Sequence, residues 1–275
     1  MPRPSRTMPR RNIGRGYWSK VARIKKGQVV KFFSEKVSKK EARLIRKAHS
    51  VFIRLLGEAG VTVPKTEMKE KELTGGKFKL RIFQEGFKDA EMGENYLRTA
   101  SKQDAIKFAG QLVEETLKVT NFNRKEGIPH YGVVIGADFK PDNVAVRGGK
   151  IIFIDTFSPH IRKASDPKHI NPAFERYFAK RGRALQWATK GYITGTVYDP
   201  KKRLVTLISA VARIRPELRL DFLKEARARV KADPSAEIRK ELLPVLTSWQ
   251  ITKAKAIGGA ISWLGKRKRM QIKIG

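Results

Sequence analysis

Four polar residues near the middle of the chain have the types and spacing that magnesium-dependent phosphoryl transfer requires. Asp138 precedes Asn143 by five residues, and Asp155 follows twelve residues after Asn143. Mg²⁺ prefers oxygen ligands, usually one or two from the protein together with phosphate oxygens, so Asn143 and Asp155 are candidate metal ligands. Asp138 is a candidate base for an attacking hydroxyl. Lys140, two residues later, could neutralise charge on the phosphoryl group in transfer.

The same segment, IGADFKPDNVAVRGGKIIFIDTF (residues 135–157), also fits an ordinary β-hairpin. Pro141–Asn143 has favourable turn chemistry, and Gly148–Gly149 between two apolar runs predicts a tight hairpin turn. In that interpretation Asp155 simply ends a strand. The two interpretations are compatible, because a hairpin can carry a base on its entry loop and metal ligands at its flanks.

The composition narrows the possible chemistry. The 275 residues include no cysteine, which excludes disulfides, thiolate zinc sites and a cysteine nucleophile. The four histidines are scattered without metal-ligand spacing, which argues against zinc. His49 is expected to be structural or to lie at the surface, and His160 is a weaker candidate for phosphate contact. No run approaches the roughly 20 apolar residues of a membrane span, and no signal core follows the N-terminus, so a cytoplasmic protein is expected.

A strong positive charge points to anionic partners. Sixty Lys and Arg against 26 Asp and Glu give a net charge of +34. Such a chain attracts nucleic acid, anionic lipid head groups or a phosphorylated substrate, although a general solubility bias is the alternative. Residues 251–275 form a basic amphipathic tail that could lie on the inner membrane surface. A final helix packed on the domain is favoured over this, because two glycines weaken an isolated helix.

The segments around these residues divide the chain into two lobes. Residues 1–12 are expected to be a basic flexible arm. Residues 13–86 are patterned as strand, strand, helix, strand, strand, with VTVPKTEMKEKEL (residues 61–73) as the first strand after the helix. Ser38 and Glu41 form a capping-box signature at the start of the helix. Residues 87–250 contain the hairpin and are otherwise mostly helical, with helices expected at 101–120, 171–189, 203–213, 216–231 and 235–248. An α+β fold follows, with a small sheet-rich N-lobe, a larger helical C-lobe and a cleft between them.

The hairpin motif resembles the catalytic and metal-binding loops of the protein-kinase-like superfamily. DFKPDNV followed by IIFID is similar to the pattern in its atypical and small-molecule branch, which includes aminoglycoside phosphotransferases, choline kinases, Kdo kinases and RIO kinases. The resemblance implies a bilobal fold with an antiparallel N-lobe sheet and one main helix. It also implies ATP and Mg²⁺ as cofactors, Asp138 as the base, and Asn143 and Asp155 as the metal ligands.

The N-terminal half carries a second part of the resemblance. Gly14, Gly16, Ser19 and Val21 match the Gly-rich loop of kinases, with Ser19 in place of the third glycine. Lys31 in the run VVKFF matches the lysine that contacts ATP phosphates. The resemblance therefore covers about residues 13–160 in the correct order, and the later helices match only in general character.

Two further contacts follow from the resemblance. Glu41 on the first helix is a candidate ion-pair partner for Lys31, although the capping box alone explains its presence. Gln84, Glu85 and Gly86 are candidates for the hinge whose backbone meets adenine. The side chains of these three residues neither support nor oppose a contact with adenine.

Departures from the family pattern leave the activity open. Gly136 replaces the histidine that in the family holds the catalytic loop to the metal-binding aspartate, and Thr156–Phe157 replaces Phe-Gly. The expected function is ATP-dependent phosphoryl transfer to an anionic small molecule, a glycolipid or a protein. Aminoglycosides are polycations and suit this basic chain poorly. The alternative is a catalytically weak, pseudokinase-like module that binds nucleic acid or an anionic membrane.

Overall fold

The N-terminal half is a five-stranded antiparallel sheet with one helix on its inner face. A computed structural model of the chain describes residues 11–15, 19–25, 27–156, 160–166 and 198–246. The strands have the spatial order β1-β2-β3-β5-β4. They are β1 (Arg11–Arg15), β2 (Ser19–Lys25), β3 (Gln28–Ser38), β4 (Thr66–Leu73) and β5 (Lys77–Glu85).

Helix α1 (Lys39–Glu58) joins the two lobes. The predicted capping box forms at its start: the hydroxyl of Ser38 accepts from the N–H of Glu41, and the Glu41 carboxylate accepts from the N–H of Ser38. Apolar residues three and four apart bury one face of the helix, as the sequence pattern predicts. Ile45 packs with β3 and β5 in the N-lobe core, whereas Phe52 and Leu56 belong to the C-lobe core. The helix is therefore fixed to both lobes.

The C-terminal half is mainly helical and is built around one long central helix. Its core includes the buried rings of Phe108, Phe139, Phe153 and Phe222. The helices are α2 (Gly93–Thr99), α3 (Lys102–Phe122), α4 (Pro200–Ile214), α5 (Arg219–Ala232) and α6 (Ala236–Leu242). Four short strands form two pairs: β6 (Val133–Ile135) with β9 (Ile161–Lys163), and β7 (Val144–Arg147) with β8 (Lys150–Phe153).

The bilobal α+β architecture predicted from the sequence is confirmed, with differences at element ends. Arg11 and Asn12, placed in the predicted arm, lie in β1. Strand β4 begins at Thr66 rather than at Val61, and helix α2 was not predicted. Gly16, the helix predicted over residues 171–189 and the tail at 251–275 lie outside the described residues. None of the helices that the structure describes is long and apolar enough to cross a bilayer.

Candidate phosphotransfer site

The catalytic loop follows β6, and an asparagine on the preceding helical turn holds its starting strand. Helix α3 runs into a π-helical turn, Asn123–Gly127. The Asn123 side chain donates to the carbonyl of Ile135 at 2.8 Å and accepts from the N–H of the same residue at 2.9 Å. These bonds fix the last residue of β6 before the loop begins. Sequence patterns gave no signal for this contact, because both partners are ordinary in composition and only the tertiary fold brings them together.

Both the side chain and the backbone of Asn143, a candidate metal ligand, are hydrogen-bonded. Its amide N–H donates to the backbone carbonyl of Asp138 at 2.9 Å. The backbone carbonyl of Asn143 accepts from the N–H of Ile154 at 2.9 Å. This bond places Asn143 beside the residue that precedes Asp155. Because the amide nitrogen is already used, the amide oxygen is the atom left for a cation. The structure thus brings three of the predicted residues, Asp138, Asn143 and Asp155, to one place.

Asp138 is buried and has a lysine beside its carboxylate. Its Oδ2 lies 3.0 Å from the Nζ of Lys140. Only 10% of the Asp138 side chain and 21% of the Lys140 side chain are exposed, so this pair is screened less by water than a surface pair. Lys140 therefore lies next to the candidate base, and its role toward a transferring phosphoryl group stays a prediction.

Helix α2 packs tightly against the same loop. A Cβ added to Gly93 would lie 2.6 Å from the carbonyl oxygen of Pro141 and 2.7 Å from Cγ2 of Val144. Such distances are shorter than any real Cβ contact, so only glycine fits at this position. The sequence held no sign of this requirement, since the contact joins residues almost fifty positions apart.

Lys31 reaches the site from the N-lobe sheet. Gly14 pairs with Val21 across β1 and β2, and Val21 pairs with Lys31 across β2 and β3. Directly opposed residues point to the same face, so the sheet presents these three positions together. The ammonium of Lys31 donates to the carbonyl of Ile154 at 2.6 Å. Ser19 begins β2, next to the loop that the pattern assigned to phosphate.

Burial sets the electrostatics of Lys31. Burial of its side chain lowers its pKa, and the negative charge of Asp155 partly opposes this shift. The lysine of the N-lobe and the candidate metal ligand of the C-lobe are therefore electrostatic neighbours. A nucleotide phosphate would add further negative charge at this point and would stabilise the ammonium form.

The expected ion pair between Glu41 and Lys31 does not form. The Glu41 carboxylate is used in the capping box of α1, while the ammonium of Lys31 donates to a backbone carbonyl. His49 on α1, which is 4% exposed, instead lies within electrostatic reach of Lys31. Burial, with the charge of Lys31 second, lowers the pKa of His49 to about 4. A neutral imidazole thus lies on the helix side of Lys31.

In the predicted hinge, one side chain and two backbone N–H groups are already hydrogen-bonded within the protein. Gln84 points inward, and its amide donates to the carbonyl of Ile154 at 3.3 Å. The N–H of Glu85 donates to the backbone carbonyl of Lys65, and the N–H of Gly86 donates to the backbone carbonyl of Gly27. These two donors are occupied, so they are not available to adenine as the hinge prediction supposed.

Arg147 connects the hinge to the C-lobe. It pairs with Glu85, contacts Glu91 at 2.7 Å and lies over the ring of Phe87, 4.5 Å from its centre. This link was not predicted, because its partners are about sixty residues away along the chain.

A buried arginine lies behind the catalytic loop. Arg203 on α4 is 4% exposed and donates to the hydroxyl of Thr120 at 2.9 Å. Burial lowers its pKa to about 10, opposed by the carboxylates of Asp199, Asp138 and Glu241. The field of this guanidinium therefore reaches the candidate base, although the sequence gave no sign of it.

Asn143 and Asp155 fit a Mg²⁺ site that nucleotide phosphates complete. No cluster of three or more His, Asp or Glu residues in the described part of the chain could hold a metal by itself. Mg²⁺ usually takes one or two protein oxygens and fills its remaining positions with phosphate oxygens and water. One carboxylate and one oriented amide oxygen match that pattern.

Solved structures match most of the chain at low sequence identity. WaaP in complex with acyl carrier protein is 16% identical, with a TM-score of 0.46, over 90% of this chain and 88% of that chain. The GDP and kanamycin complex of APH(2")-IIia is 12% identical, with a TM-score of 0.39, over 87% and 92%. The Drosophila melanogaster PAN3 pseudokinase is 13% identical, with a TM-score of 0.36, over 94% and 66%.

The family assignment comes from the sequence. No curated protein matches the chain. A model of a family of unknown function, DUF6206, matches residues 19–251, from β2 of the N-lobe to just beyond the last described helix. The roles of individual residues rest on the geometry of this chain. The chain belongs to the DUF6206 family.

Proposed function

We propose that the chain is an ATP-dependent phosphotransferase that uses Asp138 as the base and holds Mg²⁺ with Asn143 and Asp155. One observation carries the proposal: the ammonium of Lys31 lies 2.6 Å from the carbonyl of Ile154, directly before Asp155. The cation of the N-lobe thereby lies next to the C-lobe segment that carries Asp155, whose negative charge acts on it. That is the arrangement that transfer of a phosphoryl group from a nucleotide needs.

Lys31 and the Gly-rich strands would hold the nucleotide phosphates. Gly14, Gly16, Ser19 and Val21 are the proposed phosphate-side residues, with the ammonium of Lys31 below them. The adenine would lie toward Gln84, Glu85 and Gly86. Because the N–H groups of Glu85 and Gly86 are occupied, we assign recognition of the base to carbonyl groups and to shape.

Asp138 and Lys140 would act on the acceptor. When bound, Mg²⁺ would neutralise charge on the transferring phosphoryl group. The carboxylate of Asp138 would orient the acceptor hydroxyl and take its proton. Lys140 would then move from Asp138 toward the phosphoryl oxygens, since its ammonium is a flexible point charge. The net charge of +34 favours an anionic acceptor: a phosphorylated small molecule, a glycolipid or a protein.

Nucleotide binding by the purified chain tests the proposal. We expect ATP with Mg²⁺ to raise the melting temperature, because a ligand that binds only the folded state stabilises it. Asp155→Ala should abolish this shift. Glu67→Ala is a matched control, since Glu67 is an exposed carboxylate on β4. An unchanged melting temperature of the wild-type chain in saturating ATP and Mg²⁺ would contradict the proposal.

A second candidate function is polyanion binding by a catalytically weak module. One observation favours it: the outer face of α1 carries exposed basic residues at helical spacing, namely Lys39, Lys40, Arg43 and Lys47. Such a stripe can follow a row of phosphates on nucleic acid or an anionic membrane surface. Binding to single-stranded RNA and to anionic vesicles should then fall steeply with salt and survive Asp138→Asn. Charge reversal at Lys39, Arg43 and Lys47 should remove it. Binding that is independent of salt would exclude this candidate.

A further inference from the structure

A histidine outside the predicted catalytic set lies within electrostatic reach of the two carboxylates of the site. His160 follows the Asp155 loop in sequence and immediately precedes β9. It is 8% exposed, and the N–H of Gly136 donates to its backbone carbonyl at 2.8 Å. This bond extends the ladder between β6 and β9 by one residue pair.

The register of that ladder shows which way His160 points. Val134 pairs with Arg162, and Ile135 pairs with Ile161, so Gly136 and His160 are the next directly opposed pair. Directly opposed residues in an antiparallel pair project to the same face. Ile135 and Ile161 are buried in the C-lobe core, so the side chain of His160 extends from the opposite face. Gly136 has no side chain there, and the imidazole occupies the face that a residue at 136 would otherwise cover.

The electrostatic surroundings agree with this placement. Burial lowers the pKa of His160, and the charges that oppose the shift are those of Asp155 and Asp138. Asp155 is the proposed metal ligand, and Asp138 is the proposed base. The imidazole therefore lies within electrostatic reach of both groups, although neither is adjacent to it in sequence.

We infer that His160 is a positioning residue that ties the Asp155 loop to the catalytic loop and fixes both carboxylates. The imidazole is supplied from the strand opposite Gly136, across the β6–β9 ladder, instead of from the catalytic loop itself. This inference rests on the proposed function for its catalytic meaning, but the contact itself belongs to the unliganded chain. Residues that orient metal-binding groups typically contribute about 10- to 100-fold to metal affinity or activity.

A double-mutant cycle on the unliganded chain tests the contact directly. Thermal unfolding is measured for His160→Gln, Asp155→Asn and the double variant, and the cycle is repeated with Asp138→Asn. If His160 holds these carboxylates, we expect the shifts in melting temperature to be non-additive by a few degrees in at least one cycle. Additive shifts in both cycles would overturn the inference. His160→Gln is used because it keeps a polar side chain, and His130→Ala is the control, since His130 is two-thirds exposed.

Nucleotide binding then tests what the contact does. We expect His160→Ala to lower the apparent affinity for ATP and Mg²⁺ by about 10- to 100-fold. His160→Gln should retain more of that affinity. Adding Gly136→His to His160→Ala should restore part of the response, because the imidazole returns to the same face from the other strand. Gly136 is not among the glycines with positive φ, so the backbone accepts a side chain there.

The two proposals fail in different ways. A wild-type chain that ignores ATP and Mg²⁺ would exclude the phosphotransferase, while the cycles on the unliganded chain would still decide the role of His160. A wild-type chain that responds, with His160→Ala responding equally, would overturn the positioning role and leave the phosphotransferase intact.

Discussion

The two sides of the candidate site are built in different ways. On the C-lobe side, several contacts fix the catalytic loop: Asn123 holds the backbone of Ile135, Asn143 holds the carbonyl of Asp138, and Gly93 lets α2 pack against the loop. On the N-lobe side, the two described side-chain hydrogen bonds to the metal-binding segment come from Lys31 and Gln84. Both donate to the carbonyl of Ile154.

The difference shows which lobe defines the geometry. The proposed base and metal ligands are oriented within the C-lobe, by bonds that need no nucleotide. Lys31 donates to a carbonyl of the C-lobe, and the neutral His49 of α1 lies within its electrostatic reach. Helix α1 packs into both lobe cores, so it is fixed in place without a lysine–glutamate ion pair.

The largest expected effect is on the chemical step of the C-lobe side. Asp138→Asn removes the proposed base and should slow ATP hydrolysis, with water as acceptor, by about 10²- to 10⁴-fold. The response of the melting temperature to ATP and Mg²⁺ should remain, because Lys31, Asn143 and Asp155 are intact. Asp221→Asn serves as the control, since Asp221 pairs with Lys102 at the surface of α5. Hydrolysis at the wild-type rate would show that Asp138 is not the base.

The second prediction concerns the stability of the C-lobe side. Asn123→Ala leaves the N–H and the carbonyl of Ile135 without their partners in a buried place. At about 1–3 kcal/mol for each orphaned group, unfolding free energy should fall by about 2–5 kcal/mol in denaturant titration. Asn121→Ala on the same helix removes one partly buried bond to Asp233 and should cost less. Equal losses in the two variants would mean that the catalytic loop is not specially braced.

A smaller effect is expected from pH on the N-lobe side. The pKa of His49 is about 4 in the folded chain and about 6.5 when unfolded, so acid protonates the unfolded chain first. The contribution of neutral His49 to the free energy of unfolding is fully present above pH 6.5. It is lost as pH falls toward 4, and the loss is at most about 3 kcal/mol. Wild type should therefore lose more stability than His49→Gln between pH 7 and 4. Parallel pH profiles would indicate that His49 is not held neutral.

The smallest change in stability is expected at Lys31, where function and stability should separate. A buried ammonium is costly to desolvate, so Lys31→Met should leave the unliganded chain as stable as wild type or more stable, by about 0–2 kcal/mol. The same variant should lose the response to ATP and Mg²⁺. Lys36→Met is the control, because Lys36 is exposed on the same strand. A marked loss of unliganded stability in Lys31→Met would show that the bond to Ile154 is a main structural link between the lobes.

Local patterns predicted most of the fold. The capping box at Ser38 and Glu41 forms as expected, because it depends on residues three positions apart. The five-residue spacing of Asp138 and Asn143 also predicted their proximity, since a short loop constrains both ends. Boundaries were less predictable: in VTVPKTEMKEKEL only residues from Thr66 onward pair with β5, since a strand needs a neighbour to supply hydrogen bonds.

The sequence by itself determined the chemical groups, their order along the chain and the two-lobed pattern of strands and helices. The tertiary structure alone decided the partners of those groups. In the folded chain, Glu41 caps its own helix, His49 lies within electrostatic reach of Lys31, and His160 lies opposite Gly136. The physical reason is that local patterns fix backbone conformation over a few residues. Electrostatic and hydrogen-bond partners across a site are chosen by packing between segments that lie far apart in the chain.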